Sequence, residues 1–439
     1  MTKKKVLYIA HNHPSVRPGG AEAYALELYE TMREGNGFEP IFLAKGGPPL
    51  SPHGKPHSGT YFGPVNRDPN QHFFYTDGYA YDWVFGTTPG KDLYTKHFRS
   101  FLEAYQPDVV HFQHTMFLGY DIIREVRNTL PHAPILYTLH EYMPICHRQG
   151  QMVRTVNDEE LCTHESPRRC HECFPGVSAQ TFFMRKRFVQ SHFEIVDRFL
   201  APSHFLRERY IAWGIPAEKI EFEEYGRRDF PALAEEPADE RPRTHLGYFG
   251  QLTPFKGVQV LLAAMKSLAQ DRTATRRNSD AAPRPHLWLH GANLDLQPGT
   301  FQNEFRALLA ETRDDVTLIG RYAHDQLPGL MGNLDWIVVP SIWWENSPLV
   351  IQEAFLHGKP IICSDIGGMA EKVTDGVNGL HFRAGDAASL ARTIQHAITT
   401  PGLWEKLRAG IPKIYSMAES AAKLARIYEE LIDQKRRDR

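Results

Sequence analysis

The chain has 439 residues and no apolar run long enough to cross a bilayer. Its first residues, MTKKKVLYIA, are basic and then apolar, but the apolar part is far too short for a signal peptide. These two absences set the expectation of a cytoplasmic protein. No charge of one sign dominates: 50 Lys and Arg stand against 52 Asp and Glu, a formal net charge of −2. That balance carries no electrostatic footprint of a nucleic-acid partner. The sequence also lacks a G-x-G-x-x-G fingerprint, so a dinucleotide fold is not specifically indicated. It shows no Asp-x-Asp pair at a strand end to hold a catalytic divalent metal, and no internal repeat beyond an αβ rhythm. Cysteine is scarce, five in all, yet Cys146, Cys162, Cys170 and Cys173 arrive together.

What is present is organised around Asp335 to Gly368. Trp336 to Val339 is an apolar, β-branched run of the kind buried on both faces of a parallel sheet. A polar loop, Ser341 to Asn346, follows. Ser347 suits an N-cap and Pro348 the first helical position, which predicts a helix to His357, ended by Gly358. Pro360 to Cys363 is the next strand, and Gly367-Gly368 the next tight turn. The unit is βαβ, and open α/β sheets bind ligands at the carboxyl ends of such strands.

Two carboxylates stand out in this unit. Glu345 precedes the helix; Glu353 interrupts the apolar run Leu349 to Leu356, where an unpaired charge would be costly. Pro348 has no N–H, so Leu349 and Val350 offer the free donors of the helix start, and these with the helix dipole favour a phosphate. A carboxylate near a reacting group, amides for a phosphate and a second carboxylate for a diol fit a nucleotide sugar, read from sugar to diphosphate to ribose. The same spacing suits an ordinary amphipathic helix with a structural Glu.

The wording of the stretch, Glu345-Asn346-Ser347-Pro348-Leu349 through Glu353 with GKPIICSDIGG after it, resembles the E-x7-E motif of the retaining GT4 glycosyltransferase family. The resemblance implies the GT-B architecture: two doubly wound, Rossmann-like α/β domains facing a cleft, with a C-terminal helix crossing back to the first. It implies transfer of a sugar from a nucleotide diphosphate sugar to an acceptor hydroxyl, with the anomeric configuration retained. Expected boundaries are 1–226 for the acceptor-side domain, 227–243 for a Pro-, Ala- and acid-rich linker, 244–415 for the donor domain and 416–439 for the returning helix.

Other positions match the family in part. Gly19-Gly20, between the strand Val6 to Ala10 and a helix from Ala21, lets backbone approach a ligand closely. With Glu22 it matches a Gly-Gly-x-Glu turn near donor phosphates and acceptor. His140 ends the strand Ile135 to Leu139 and matches a histidine that contacts the donor sugar; His111 and His114 are weaker candidates. Lys256 matches the family's phosphate-binding lysine, a point charge for the diphosphate. Gln251 stands where that family has an Arg, and Arg227, Arg228 and Arg321 are possible replacements. In this reading His140, Glu345 and Lys256 carry the chemistry. Gly19, Gly20, Gln251, Lys256, Asn346, Ser347, Leu349, Val350 and Glu353 hold the donor, with no catalytic divalent metal.

The four clustered cysteines, within an insertion at 146–173, have a cytosolic pattern that favours a metal over disulfides. Four thiolates can close a structural zinc site; the same ligands would suit an iron–sulfur cluster, or remain free thiols with one redox pair. Some GT4 members of polysaccharide and O-antigen pathways carry a similar insertion, with an Asp where Glu141 stands here. From Gly46 to Thr88 the pattern breaks down into a long loop rich in Pro, Gly and aromatics, either a lid on the acceptor side or an insertion packed on the surface. Asp271 to Pro285 reads as an exposed loop. Expected partners are a nucleotide sugar and a glycan, lipid-linked or small-molecule acceptor, with at most peripheral contact at the inner membrane face. A nucleotide-sugar epimerase of similar shape and a catalytically weak nucleotide-sugar-binding protein are the competing functions.

Overall fold

The computed structural model describes residues 3–17, 19–35, 37–49, 60–156, 160–228, 241–275 and 283–438. Residues 1–228 with 415–439 form one compact unit, and 229–414 a second. Most of the expected linker falls at 229–240, outside the described residues.

The first unit is built on eight strands: β1 Lys4–Ala10, β2 Phe38–Gly46, β3 Phe62–Val65, β4 Asp68–Tyr75, β5 Val109–Phe112, β6 Ile135–Thr138, β7 Arg198–Ala201 and β8 Ile220–Phe222. Their order is β3-β4-β2-β1-β5-β6-β7-β8, parallel throughout except for β3 on β4. β5 and β6 are buried at every residue and β1 from Val6 onward, which is why they read as continuous apolar runs. The stretch expected to be one long loop from Gly46 to Thr88 therefore holds two strands. β4 pairs parallel with β2, and β3 closes the edge. Pairing with β2 supplies what the local sequence lacks. The aromatics pack there, with Phe62 stacked on both Phe74 and Phe101. Residues 50–59 lie outside the described part.

The last helix, Met417–Arg437, starts on a capping box between Ser416 and Glu419 and belongs to the first unit. Its Tyr428 hydroxyl reaches His111 Nδ1 at 2.7 Å and the Tyr8 hydroxyl at 3.2 Å, under the sheet. Glu223, buried beyond β8, takes Tyr415, Ser420 and Lys423 of the returning segment.

His111 lies wholly within this core, its other nitrogen on Thr138 at 2.7 Å. Burial pushes its pKa down to about 3. The unfolded chain takes up that proton near pH 6.5 and the folded chain does not, so stability falls as pH drops from 6.5 toward 3. The expected loss is about 2 kcal/mol at pH 5 relative to pH 7. Urea unfolding at the two pH values should show at least this loss, and His111→Asn should remove about that share of the dependence. A variant with the full wild-type pH slope would refute the assignment.

The second unit has six parallel strands: β9 His245–Gln251, β10 His286–Ala292, β11 Val316–Gly320, β12 Trp336–Val339, β13 Ile361–Ser364 and β14 Gly379–Phe382. Their order is β11-β10-β9-β12-β13-β14. Alternate side chains of β12 enter opposite cores, Trp336 and Val338 on one face, Ile337 and Val339 on the other. The helix after β9 runs Val258–Thr275, so the expected loop from Asp271 is helical at its start; residues 276–282 lie outside the described part. Among the described residues no helix is long and apolar enough to cross a membrane.

Candidate functional site

The strand order of the second unit reverses between β9 and β12, so the loops leaving these two strands flank the crevice at their carboxyl ends. After β9 comes a single turn, Pro254–Lys256, closed by Gly257 at φ +69°. After β12 comes the loop that carries Glu345. The two loops are tied by the Ile342 N–H, which donates to the Phe255 carbonyl at 2.9 Å. Lys256 Nζ meets Glu345 Oε1 at 2.6 Å. Ser341 Oγ and Trp343 Nε1 donate to the same oxygen at 2.7 and 3.0 Å. Glu345 is nearly buried, so the ion pair is screened far less than a surface pair. The sequence reading gave Lys256 and Glu345 separate tasks; the fold brings them into direct contact.

The helix expected from Pro348 spans Leu349–Leu356. Pro348, not Ser347, is its N-cap, and no side chain caps it. The first-turn amides of Leu349 and Val350 thus start an uncapped helix, the arrangement that receives anions. Asn346 and Ser347 are buried beside it. Gly368 supports this loop from behind: its N–H donates to the Glu345 carbonyl at 2.8 Å, and a Cβ there would fall 1.6 Å from the Asn346 carbonyl oxygen. Glu353 is buried on the helix, with His324 Nε2 3.6 Å from its carboxylate. Burial, then the Glu353 charge, raises the Tyr322 hydroxyl above its ordinary range. Gln251 is exposed at the end of β9. Of the cations considered in place of the missing Arg, Arg227 pairs with Glu27 at 3.1 Å and Arg228 with Glu30 at 3.0 Å, both within the first unit; Arg321 is exposed after β11.

In the first unit the order reverses between β1 and β5. Gly19 is the extended N-cap of the helix Gly20–Glu34. The anion at that helix start is the protein's own Glu22, whose carboxylate meets His11 Nε2 at 3.1 Å. Burial works against ionisation of Glu22, but His11 and the backbone N–H hold its pKa down to about 2. Across the reversal, His114 Nε2 lies 3.3 Å from Glu141, and the His11 and His114 rings are 4.2 Å apart. His140 is engaged at both nitrogens. Its Nε2 lies 3.0 Å from Gln113 Oε1, and its Nδ1 lies 2.5 Å from the Tyr225 hydroxyl. Burial drives the His140 pKa well down, so the ring is neutral. The sequence reading missed Gln113, His11, Ser341 and Trp343. A paired Trp343-Trp344 before a loop carboxylate was the one signal available.

The expected zinc site is not supported. Among the described residues no group of three or more His, Cys, Asp or Glu is placed to hold a metal ion, and no disulfide joins Cys146, Cys162, Cys170 or Cys173. Burial raises the Cys146 thiol to about 11 and the Cys170 thiol to about 12, so both stay protonated. Cys173 lies on Arg154, which also pairs with Glu160 and Glu172. The segment is held by these ion pairs and by the short helix Pro167–Cys173, capped by Ser166.

Comparison with known proteins accounts for both units. Residues 18–222 match the family model described as Glycosyltransferase Family 4, and residues 232–414 the model described as Glycosyl transferases group 1. Each unit thus resembles a glycosyltransferase family over most of its length. Sucrose-phosphate synthase from Thermosynechococcus elongatus aligns with 98% of this chain and 100% of its own, at 19% identity and a TM-score of 0.71. Anabaena HepE in complex with UDP aligns with 97% and 100%, at 17% identity and a TM-score of 0.67. At such identities the likeness is one of fold, and it bears out the GT-B expectation. Lipopolysaccharide 1,2-N-acetylglucosaminetransferase of Salmonella typhimurium is 27% identical over 192 residues, 42% of this chain and 48% of that protein. Glycogen synthase of Mycobacterium tuberculosis is 30% identical over 167 residues, 37% of each. The chain thus matches less than half the length of these relatives.

Proposed function

We propose that this protein is a glycosyltransferase that moves a hexosyl group from a nucleotide diphosphate sugar to an acceptor hydroxyl with retention, in glycan or glycoconjugate biosynthesis. One observation carries the reading: Lys256 and Glu345 meet at the strand-order reversal of the second unit, beside an uncapped helix start. The uncapped amides of Leu349 and Val350 suit the diphosphate, with Asn346 and Ser347 beside them. Lys256 suits the charge that develops on the leaving group, Glu345 the transferred sugar, and Glu353 the ribose hydroxyls. His140 is the sugar contact of the first unit, with Gly19 and Gly20 near the phosphates, and Gln251 borders the site where the family has a cation. A structural neighbour was solved with UDP and others with UDP-glucose or a glycan ligand, which makes UDP-sugars the first donors to try. Reaction at the cytoplasmic face, with at most peripheral membrane contact, is part of the proposal.

Purified full-length protein screened with UDP-, GDP- and ADP-sugars, with and without acceptors, tests this reading. Donor sugar interconverted without any acceptor would mark an epimerase, and nucleotide binding without turnover a binding protein. Retention requires that the product keep the donor's anomeric configuration by NMR. With the active donor, Glu353→Ala is expected to raise donor KM about tenfold, and Glu345→Ala chiefly to lower kcat. Unchanged kinetics in both variants would defeat the assignment.

A further inference from the structure

Three donors converge on one oxygen of Glu345: the Lys256 ammonium, the Ser341 hydroxyl and the Trp343 indole N–H. All approach Oε1, and among the described residues Oε2 takes no hydrogen bond. A carboxylate loaded on one side has a fixed plane, with its second oxygen left to accept from a ligand hydroxyl. Trp343 acts on both members of the ion pair, because the Lys256 ammonium also lies 5.6 Å from its ring centroid. The turn of Trp343 is itself held, with the Glu345 N–H donating to the Trp343 carbonyl at 2.8 Å.

This arrangement answers a problem posed by the contact between Lys256 and Glu345. An anion that needs Lys256 must compete with Glu345 for it. Glu345 is 6% exposed, so losing Lys256, its only cationic partner among the described residues, would expose the full cost of a poorly solvated charge. Two neutral donors that stay in place reduce that cost and stop the carboxylate from rotating. A lysine has three N–H groups, and the face of an indole lets it swing without leaving a favourable surface.

We propose that Trp343 is the positioning residue of this site. Its indole N–H keeps Glu345 in place, and its ring guides Lys256, while the diphosphate of the donor draws the ammonium away. The proposal rests on the donor-site reading of Lys256 and Glu345 above. It separates the two tasks of the loop, since Ser341 and Trp343 hold the carboxylate in the presence and absence of ligand and Lys256 changes partner.

The test uses the full-length chain labelled with 5-fluorotryptophan at its seven tryptophans, with Trp343→Phe to assign the resonance. UDP, ADP and GDP are the probes. On saturation with the nucleotide that binds, the Trp343 signal is expected to shift, and Lys256→Met is expected to abolish the shift. With the active donor, Trp343→Phe, which keeps a ring for Lys256 but has no N–H, is expected to lower kcat about tenfold and leave donor KM within about twofold. Trp343→His, whose ring can still donate, should recover part of kcat; a purely structural role would give both variants the same loss. A Trp343 signal unmoved while calorimetry shows the nucleotide bound, or kcat unchanged in Trp343→Phe, overturns this proposal and leaves the donor site standing. If no nucleotide binds the wild-type protein, the donor-site reading fails and this proposal falls with it.

Discussion

Lys256→Ala is expected to lower kcat/KM for the active donor by about 10²–10³-fold, the usual effect of removing one preorganised group that stabilises developing charge. The leaving diphosphate needs a cation, and Lys256 is held at the strand-order reversal by a backbone tie between two loops. The substitution also strips Glu345 of its cation, leaving Ser341 and Trp343 as its donors. The two effects can be separated. Residues in contact couple, so Lys256→Ala with Glu345→Gln should lose much less than the product of the single losses. Wild-type turnover should persist in EDTA, because a lysine and a helix start neutralise the charge in this reading. Additive losses would mean that the observed ion pair does not exist in the free enzyme. Activity abolished by EDTA and restored by magnesium or manganese would assign the charge to a metal.

Gly257→Ala should be among the most damaging single substitutions in the second unit. Its backbone sits at φ +69°, and an added Cβ would lie 1.8 Å from the Pro340 carbonyl oxygen. A backbone atom at that distance cannot give way as a side chain can, so the two loops must part. Gly376 provides the control, with φ +70° and nothing within 4 Å of an added Cβ. Gly376→Ala isolates the left-handed strain, about 1–2 kcal/mol. Gly257→Ala is expected to cost at least about 2 kcal/mol more and to abolish nucleotide binding, since it separates Lys256 from Glu345. Thermal unfolding and nucleotide titration of the two variants check this. Equal destabilisation in both would show that the loop contact tolerates the methyl group.

The glycine at this turn was visible in the sequence as part of Lys256-Gly257, but its reason was not. The contact that forbids a side chain comes from Pro340, in a loop that follows a different strand. The same holds for the cysteines, where clustering in sequence suggested a metal. In the fold, among the described residues, no three His, Cys, Asp or Glu side chains are placed together to hold one, and Cys173 lies on Arg154.

What the sequence by itself determined is the architecture. Runs such as Val6 to Ala10 and Trp336 to Val339 are short and apolar at every position, which suits a strand covered on both faces. Their alternation with helices requires parallel sheets, and Glu345 and Glu353 on either side of one helix start were legible as a pair. Tertiary structure alone decided which groups meet. Lys256 and Glu345 are 89 residues apart and touch because β9 and β12 are neighbours. His140 sits between Gln113, from β5's end, and Tyr225, which only the fold brings together. β4 is a strand because β2 offers it an edge; its own half-exposed sequence, DPNQHFFY, does not require one. Periodicity is a local property and survives in sequence, whereas hydrogen-bond partners, pKa values and strand pairing are set by neighbours that only the folded chain supplies.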